Sequence, residues 1–84
     1  MSELIDVMRE VSNEVENAES KFPPMNSAHE AYAVLLEEVD ELWDHVKTNQ
    51  KRRDIASMRM EAIQVAAMAV RFARDVCDGG RGRV

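Results

Sequence analysis

The chain has 84 residues, 45% of them apolar, a net charge of −5 and one cysteine, Cys77. A single small domain fits that length, and an intramolecular disulfide is excluded. The overall acidity argues against a protein that coats nucleic acid through a basic face, and no stretch is long and apolar enough to span a bilayer.

So much apolar material in so short a chain implies a core shared with another copy, most simply in a homodimer. The first twenty residues are charged throughout and read as no export signal, so a soluble, cytoplasmic protein is the expectation, with no membrane or nucleic-acid partner. The charge is uneven. Residues 1–45 hold 12 acidic and two basic side chains, and residues 46–84 hold four and nine. The two halves are expected to attract each other when the helices pack, and the basic strip is also suited to phosphates.

Three helices are expected. The first runs from about Glu3 to Lys21, with Ser2 as its cap and Leu4, Met8, Val11, Val15, Ala18 and Phe22 as its apolar seam. Phe22-Pro23-Pro24 ends it, because a residue before proline is pushed out of the helical region. The second begins at Ser27-Ala28-His29-Glu30, a capping box. Its seam is Ala28, Tyr32, Leu35, Val39, Leu42 and Val46. A flanking stripe, Ala31, Val34, Glu38, Glu41 and His45, turns from apolar to acidic along the helix. Glu37, Asp40 and Asp44 point to water.

Residues 47–53 form a polar, basic connection. The third helix then runs to about Cys77, where Gly79-Gly80 stops it. Its seam is Ile55, Met58, Ala62, Val65, Ala69, Phe72 and Val76. Ten of the twelve residues from Ala62 to Ala73 are apolar, so this helix is expected at the centre, buried on more than one side. The fold class is therefore all-α: a three-helix antiparallel chain that completes a helical bundle by homo-oligomerisation. Residues 1–78 form the domain and 79–84 a flexible basic tail.

One polar stripe crosses the third helix: Glu61, Gln64, Met68, Arg71 and Asp75. It either meets water or lines a polar site. Glu38-x-x-Glu41 and Glu61-x-x-Gln64 each put two polar groups on one helical face, one turn apart. Set opposite each other, they gather three carboxylates and one amide carbonyl around a point. Unpaired, the carboxylates repel and their pKa values rise. A hard divalent ion, Mg²⁺ or Mn²⁺, relieves that. Arg71, further along, is placed to contact a phosphate or another acid. His45 is either a neighbour of the site or an exposed flank residue, and Trp43 and Tyr32 are core or interface aromatics more readily than base-stacking ones.

The run Leu36-Glu37-Glu38-Val39-Asp40-Glu41-Leu42 resembles the E-x-x-E helix of MazG-like nucleotide pyrophosphohydrolases, in the all-α NTP pyrophosphatase superfamily. The segment Glu61 to Ala73 is similar to that family's second acidic helix, usually E-x-x-D followed by an apolar run. The resemblance covers about residues 27–77. It implies a helical dimer or tetramer that binds Mg²⁺ and hydrolyses nucleoside triphosphates to a monophosphate and pyrophosphate. Carried onto this sequence, Glu38, Glu41 and Glu61 are the catalytic metal ligands, Gln64 stands at the fourth metal position, and Lys51, Arg52, Arg53 and Arg71 are substrate-binding residues. Gln64 departs from the family pattern: an amide oxygen ligates Mg²⁺ but adds no charge and serves as no base. The resemblance therefore also admits a non-catalytic helical oligomer that binds nucleotides or regulates.

Overall fold

A computed structural model describes residues 2–84. They form three helices, α1 (Leu4–Lys21), α2 (Ala28–Val46) and α3 (Ile55–Arg71), with no strand among the described residues. A 3₁₀ turn, Gln50–Arg52, lies in the α2–α3 connection, and α3 continues as a π-helical segment over Phe72–Asp78. The chain is thus all-α as expected. No described helix is long and apolar enough to cross a membrane.

Local chemistry sets the boundaries. Ser27 accepts the Glu30 amide N–H through its hydroxyl at 3.1 Å, which starts α2 as its capping box predicts. The start of α1 differs from expectation. Glu3 is the cap residue, its N–H donating to the Asp6 carboxylate at 3.2 Å, while the Ser2 hydroxyl lies against the Arg59 guanidinium. Asp54 begins α3, accepting from the Ser57 N–H at 3.1 Å and the Ser57 hydroxyl at 2.9 Å. At the far end Gly80 adopts φ +78° and the Arg81 N–H reaches back to the Val76 carbonyl at 2.7 Å. That is the six-residue closure of a Schellman stop, in which glycine takes the left-handed position at no steric cost.

The tail does not hang free. The Val84 carbonyl accepts from the Ala28 N–H at the start of α2, and the Arg81 guanidinium donates to the Asn26 side chain at 2.9 Å. The short basic segment thereby ties the end of the chain to the α1–α2 turn, where the sequence pattern suggested fraying.

α3 packs against both α1 and α2 and is the central helix. Ion pairs Arg59–Glu10 and Arg74–Glu19 join it to α1. The acidic first half of the chain does meet the basic second half across this seam. Both pairs are well exposed, and such pairs contribute little, about 0–1 kcal/mol each. The buried core gathers at one end: Val15 and Ala18 from α1, Met25 from the turn, Ala31 from α2, Ala67 and Met68 from α3, and Val76 beyond it. Val11, Ala28, Val34, Leu35 and Phe72 pack around them.

This core corrects two expected seams. On α2, Ala31 is fully buried while Tyr32 is 58% exposed, so the flanking stripe faces α3 and much of the expected seam faces outward. On α3, Met68 and Arg71 are buried while Ile55, Ala62 and Ala69 are exposed. The polar stripe is turned inward. The reason is the breadth of apolar surface on both helices. Hydrophobicity alone does not choose which edge of a wide stripe packs, and the small Ala31 and Ala67 permit the close approach that does.

Candidate metal centre and its surroundings

Glu38 and Glu41 lie one turn apart on α2, and Glu61 lies on the α3 face that meets them. One carboxylate oxygen from each falls within 4.8 Å of the other two. Glu38 and Glu61 are half-buried and Glu41 is exposed, so the cluster opens to water on one side. Glu61 Oε2 is buried with no hydrogen-bond donor. The Glu38 carboxyl is pushed up from 4.5 to about 7, first by loss of solvation, then by the neighbouring charge of Glu41 and the hydrogen bonding and charge of Glu61.

Those features define a chemical demand. Three carboxylates at this separation cannot all ionise cheaply, and the lone pairs of Glu61 Oε2 have nothing to accept from. One proton shared in the cluster relieves part of the repulsion, and a divalent cation relieves more of it. Oxygen ligands around Mg²⁺ sit at about 2.0–2.1 Å from the ion, hence roughly 3–4 Å from one another. The observed separation needs only modest side-chain adjustment to reach that. The donor set is all oxygen, which suits Mg²⁺, Mn²⁺ or Ca²⁺ and not a thiolate-seeking metal. The residues therefore fit a hard divalent ion.

Gln64 is half-buried one turn beyond Glu61 on the same helical face. Its amide is the next polar group along the stripe. Beside Glu61 opens a cleft of about 350 Å³ lined by His45, Ala56, Ser57, Met60 and Glu61. That volume lies at the lower end of the range for small-molecule sites. His45 thus stands beside the acidic cluster, where the sequence left it between two readings. Ser57 and Met60 were not singled out by their spacing; only the packing of α2 on α3 brings them there.

The basic residues are arranged less simply. Arg53 donates to the Val46 carbonyl through Nε at 3.2 Å and through a second guanidinium nitrogen, closing the end of α2. Lys51 and Arg52 are exposed on the connection. Lys51 and Arg53 line an open groove with Val46, Lys47, Thr48, Asn49 and Gln50, and none of these residues lines the cleft at Glu61. The structure therefore does not bring the three loop bases into one pocket with the carboxylates.

Arg71 is buried, 4% exposed. Its guanidinium donates to the Pro23 carbonyl at 3.0 Å and lies 3.8 Å from Asp75 Oδ2, with Nε unpartnered. Asp75 Oδ2 in turn accepts the Met25 N–H at 3.1 Å. Ten residues separate Arg71 from Glu61, about 15 Å along a helix at 1.5 Å per residue. Of the two partners foreseen for it, the acid is the one present, and the phosphate contact is withdrawn. Comparison of the chain with protein families, with curated proteins and with solved structures finds no match.

Proposed function

We propose that this chain is a Mg²⁺-dependent nucleoside triphosphate pyrophosphohydrolase of the MazG-like kind, acting in the cytoplasm as a homodimer or homotetramer and releasing pyrophosphate from a (d)NTP. The observation that carries the reading is the convergence of Glu38, Glu41 and Glu61 within 4.8 Å with Glu61 Oε2 buried and unpartnered. Glu38, Glu41 and Glu61 hold the ion, and the Gln64 amide oxygen is the fourth protein donor on that face. Bound there, Mg²⁺ supplies positive charge against the phosphates and acidifies a ligated water. Around it, the half-buried wall of α3 limits solvent at the carboxylates, and the cleft beside His45 and Glu61 is the place for the phosphate chain. Lys51 and Arg52, whose side chains are exposed, are the bases free to turn toward it.

The test is a pyrophosphate-release assay over a panel of ribo- and deoxyribonucleoside triphosphates with Mg²⁺ or Mn²⁺. At least one nucleotide is expected to turn over, and EDTA is expected to stop it. Thermal stabilisation by the metal without turnover of any nucleotide would favour the non-catalytic reading that Gln64 supports. No turnover and no metal-dependent stabilisation would remove the proposal altogether.

A further inference from the structure

Past the carboxylate cluster, the seam between α2 and α3 continues as a second polar layer. The stripe of α2 that faces α3 passes from Glu38 through Glu41 to His45, in steps of three and four. α3 runs the other way, so one turn beyond Glu41 meets one turn before Glu61. His45 accordingly shares the cleft of about 350 Å³ with Ala56, Ser57, Met60 and Glu61. It is half-buried, and it is carried by the last turn of a helix rather than by a loop.

A phosphate chain in that cleft needs donors for the oxygens that the ion does not ligate, and the wall offers few. Ala56 and Met60 end in apolar groups, and Glu61 is an acceptor that repels an anion. Ser57 has already given its protons to Asp54, its N–H to Oδ1 at 3.1 Å and its hydroxyl to Oδ2 at 2.9 Å. Those bonds hold the Asp54 carboxyl below its usual pKa, the Ser57 N–H first and the hydroxyl next, and the nearby His45 lowers it a little further. Asp54 therefore stays charged and keeps Ser57 engaged.

The cationic side chains lie elsewhere. Lys51 and Arg53 line a separate groove, and Arg71 is closed on Pro23 and Asp75. Around His45 the Thr48 hydroxyl donates to the Asp44 carbonyl and Arg53 to the Val46 carbonyl, while the ring itself enters no hydrogen bond among the described residues. Of the five lining side chains, only the imidazole has an N–H to give. The neutral ring carries one such donor and the charged ring two, so the contact is open to both forms.

We propose that His45 is a substrate-contacting residue, its ring N–H donating to a non-bridging oxygen of a phosphate chain held by the ion at Glu38, Glu41 and Glu61. This deepens the function proposed above and rests on its cation. His45 follows Glu41 by four residues, about 6 Å along the helix at 1.5 Å per residue. A metal–oxygen bond of about 2.1 Å on one side of a phosphoryl group and a hydrogen bond of about 2.9 Å on the other can bridge that interval. Ion and ring thus grip the chain at two points and lay it along the seam.

Isothermal titration of the full chain separates the two grips, with Mg²⁺ alone as one probe and inorganic pyrophosphate at saturating Mg²⁺ as the other. The wild-type chain is expected to bind both. His45→Ala is expected to bind pyrophosphate about tenfold more weakly or worse, because a hydrogen bond to a charged group is lost, with Mg²⁺ affinity unchanged. His45→Gln keeps an N–H and is expected to recover most of the loss. Circular dichroism should be the same for all three chains, since Ala and Gln both favour helix. Equal pyrophosphate affinity in wild type and His45→Ala overturns the contact, and nucleotide turnover by the wild type then leaves the pyrophosphohydrolase reading standing. A loss that extends to Mg²⁺, or that His45→Gln does not recover, also overturns it, as does a metal-loaded wild-type chain that binds no pyrophosphate. Binding that depends on His45 in a chain that turns over no nucleotide upholds the contact and removes the catalysis.

Discussion

The polar stripe of α3 has two ends, and they behave oppositely. At the Arg71 end, buried charge is answered, with one guanidinium nitrogen, Nε, left unpartnered. The guanidinium meets the Pro23 carbonyl and Asp75, and Asp75 meets the Met25 N–H, so the stripe ties α3 to the turn between α1 and α2. At the Glu61 end, like charges meet across two helices and no cation or donor is supplied by the fold. The same helix face thus builds a structural clasp at one end and an unsatisfied cluster at the other. Buried polar groups that partner one another serve stability; the carboxylate cluster, left without such a partner, is where the proposed ion would bind.

Four measurements break or sharpen that contrast. The largest effect is expected from Glu61→Gln. It removes the charge of a proposed ligand without changing shape, and turnover should fall by a factor on the order of 10² or more, corresponding to about 2.7 kcal/mol of lost stabilisation. Thermal stability without metal should be unchanged or higher, because a repelling charge is gone. If the same variant unfolds the chain, the Glu61 end is structural and the contrast is void.

Arg71→Met should act in the opposite sense, costing stability and leaving metal affinity alone. Breaking a buried pair by removing one partner costs about 3–5 kcal/mol, and the Asp75 side chain, 15% exposed, would keep its bond from Met25 without its cation. Urea unfolding followed by circular dichroism reads the loss; isothermal titration with Mg²⁺ reads the affinity.

The pH response separates the ends further. Glu38 holds its proton up to about 7 in the folded chain against 4.5 when free. Between those values the folded state binds more protons than the unfolded one. Stability without metal should therefore fall as pH rises from about 4.5 to 7 and level off above. Melting curves in EDTA should show a lower midpoint near pH 8 than near pH 5, Mg²⁺ should restore much of the difference at the higher pH, and Glu38→Gln should flatten the dependence.

The smallest effect is expected from Gln64→Asp. It adds a charge to the cluster, so Mg²⁺ affinity should rise by about tenfold or less while the metal-free protein becomes slightly less stable. No change in affinity would place Gln64 outside the coordination sphere.

Much of this architecture is legible without coordinates. The helix boundaries follow from local chemistry: Pro23-Pro24 after α1, the Ser27 cap on α2, Gly79-Gly80 after α3. The pairing of Glu38 and Glu41 follows from helical spacing alone. Legibility fails where a choice between two faces is needed. Tyr32, Val39 and Val46 read as core because they repeat correctly, yet they lie outside; Ala31, on the flanking stripe, and Ala67, within the apolar run of α3, lie at the centre. Periodicity identifies an apolar arc, but on a helix whose arc is wide it does not say which part meets its own chain and which faces outward.

What the sequence determines by itself is therefore a set of helices, most of their ends, and the acidic pair on α2. These rest on interactions within four residues of one another, which the chain carries in any context. The tertiary structure alone decided that the polar stripe of α3 turns inward, that Glu61 crosses to Glu38 and Glu41, that Arg71 serves Pro23 and Asp75, and that the tail closes on α2. Each of these depends on the rotation of one helix against another, set by where small side chains let backbones approach, and no local pattern encodes that rotation.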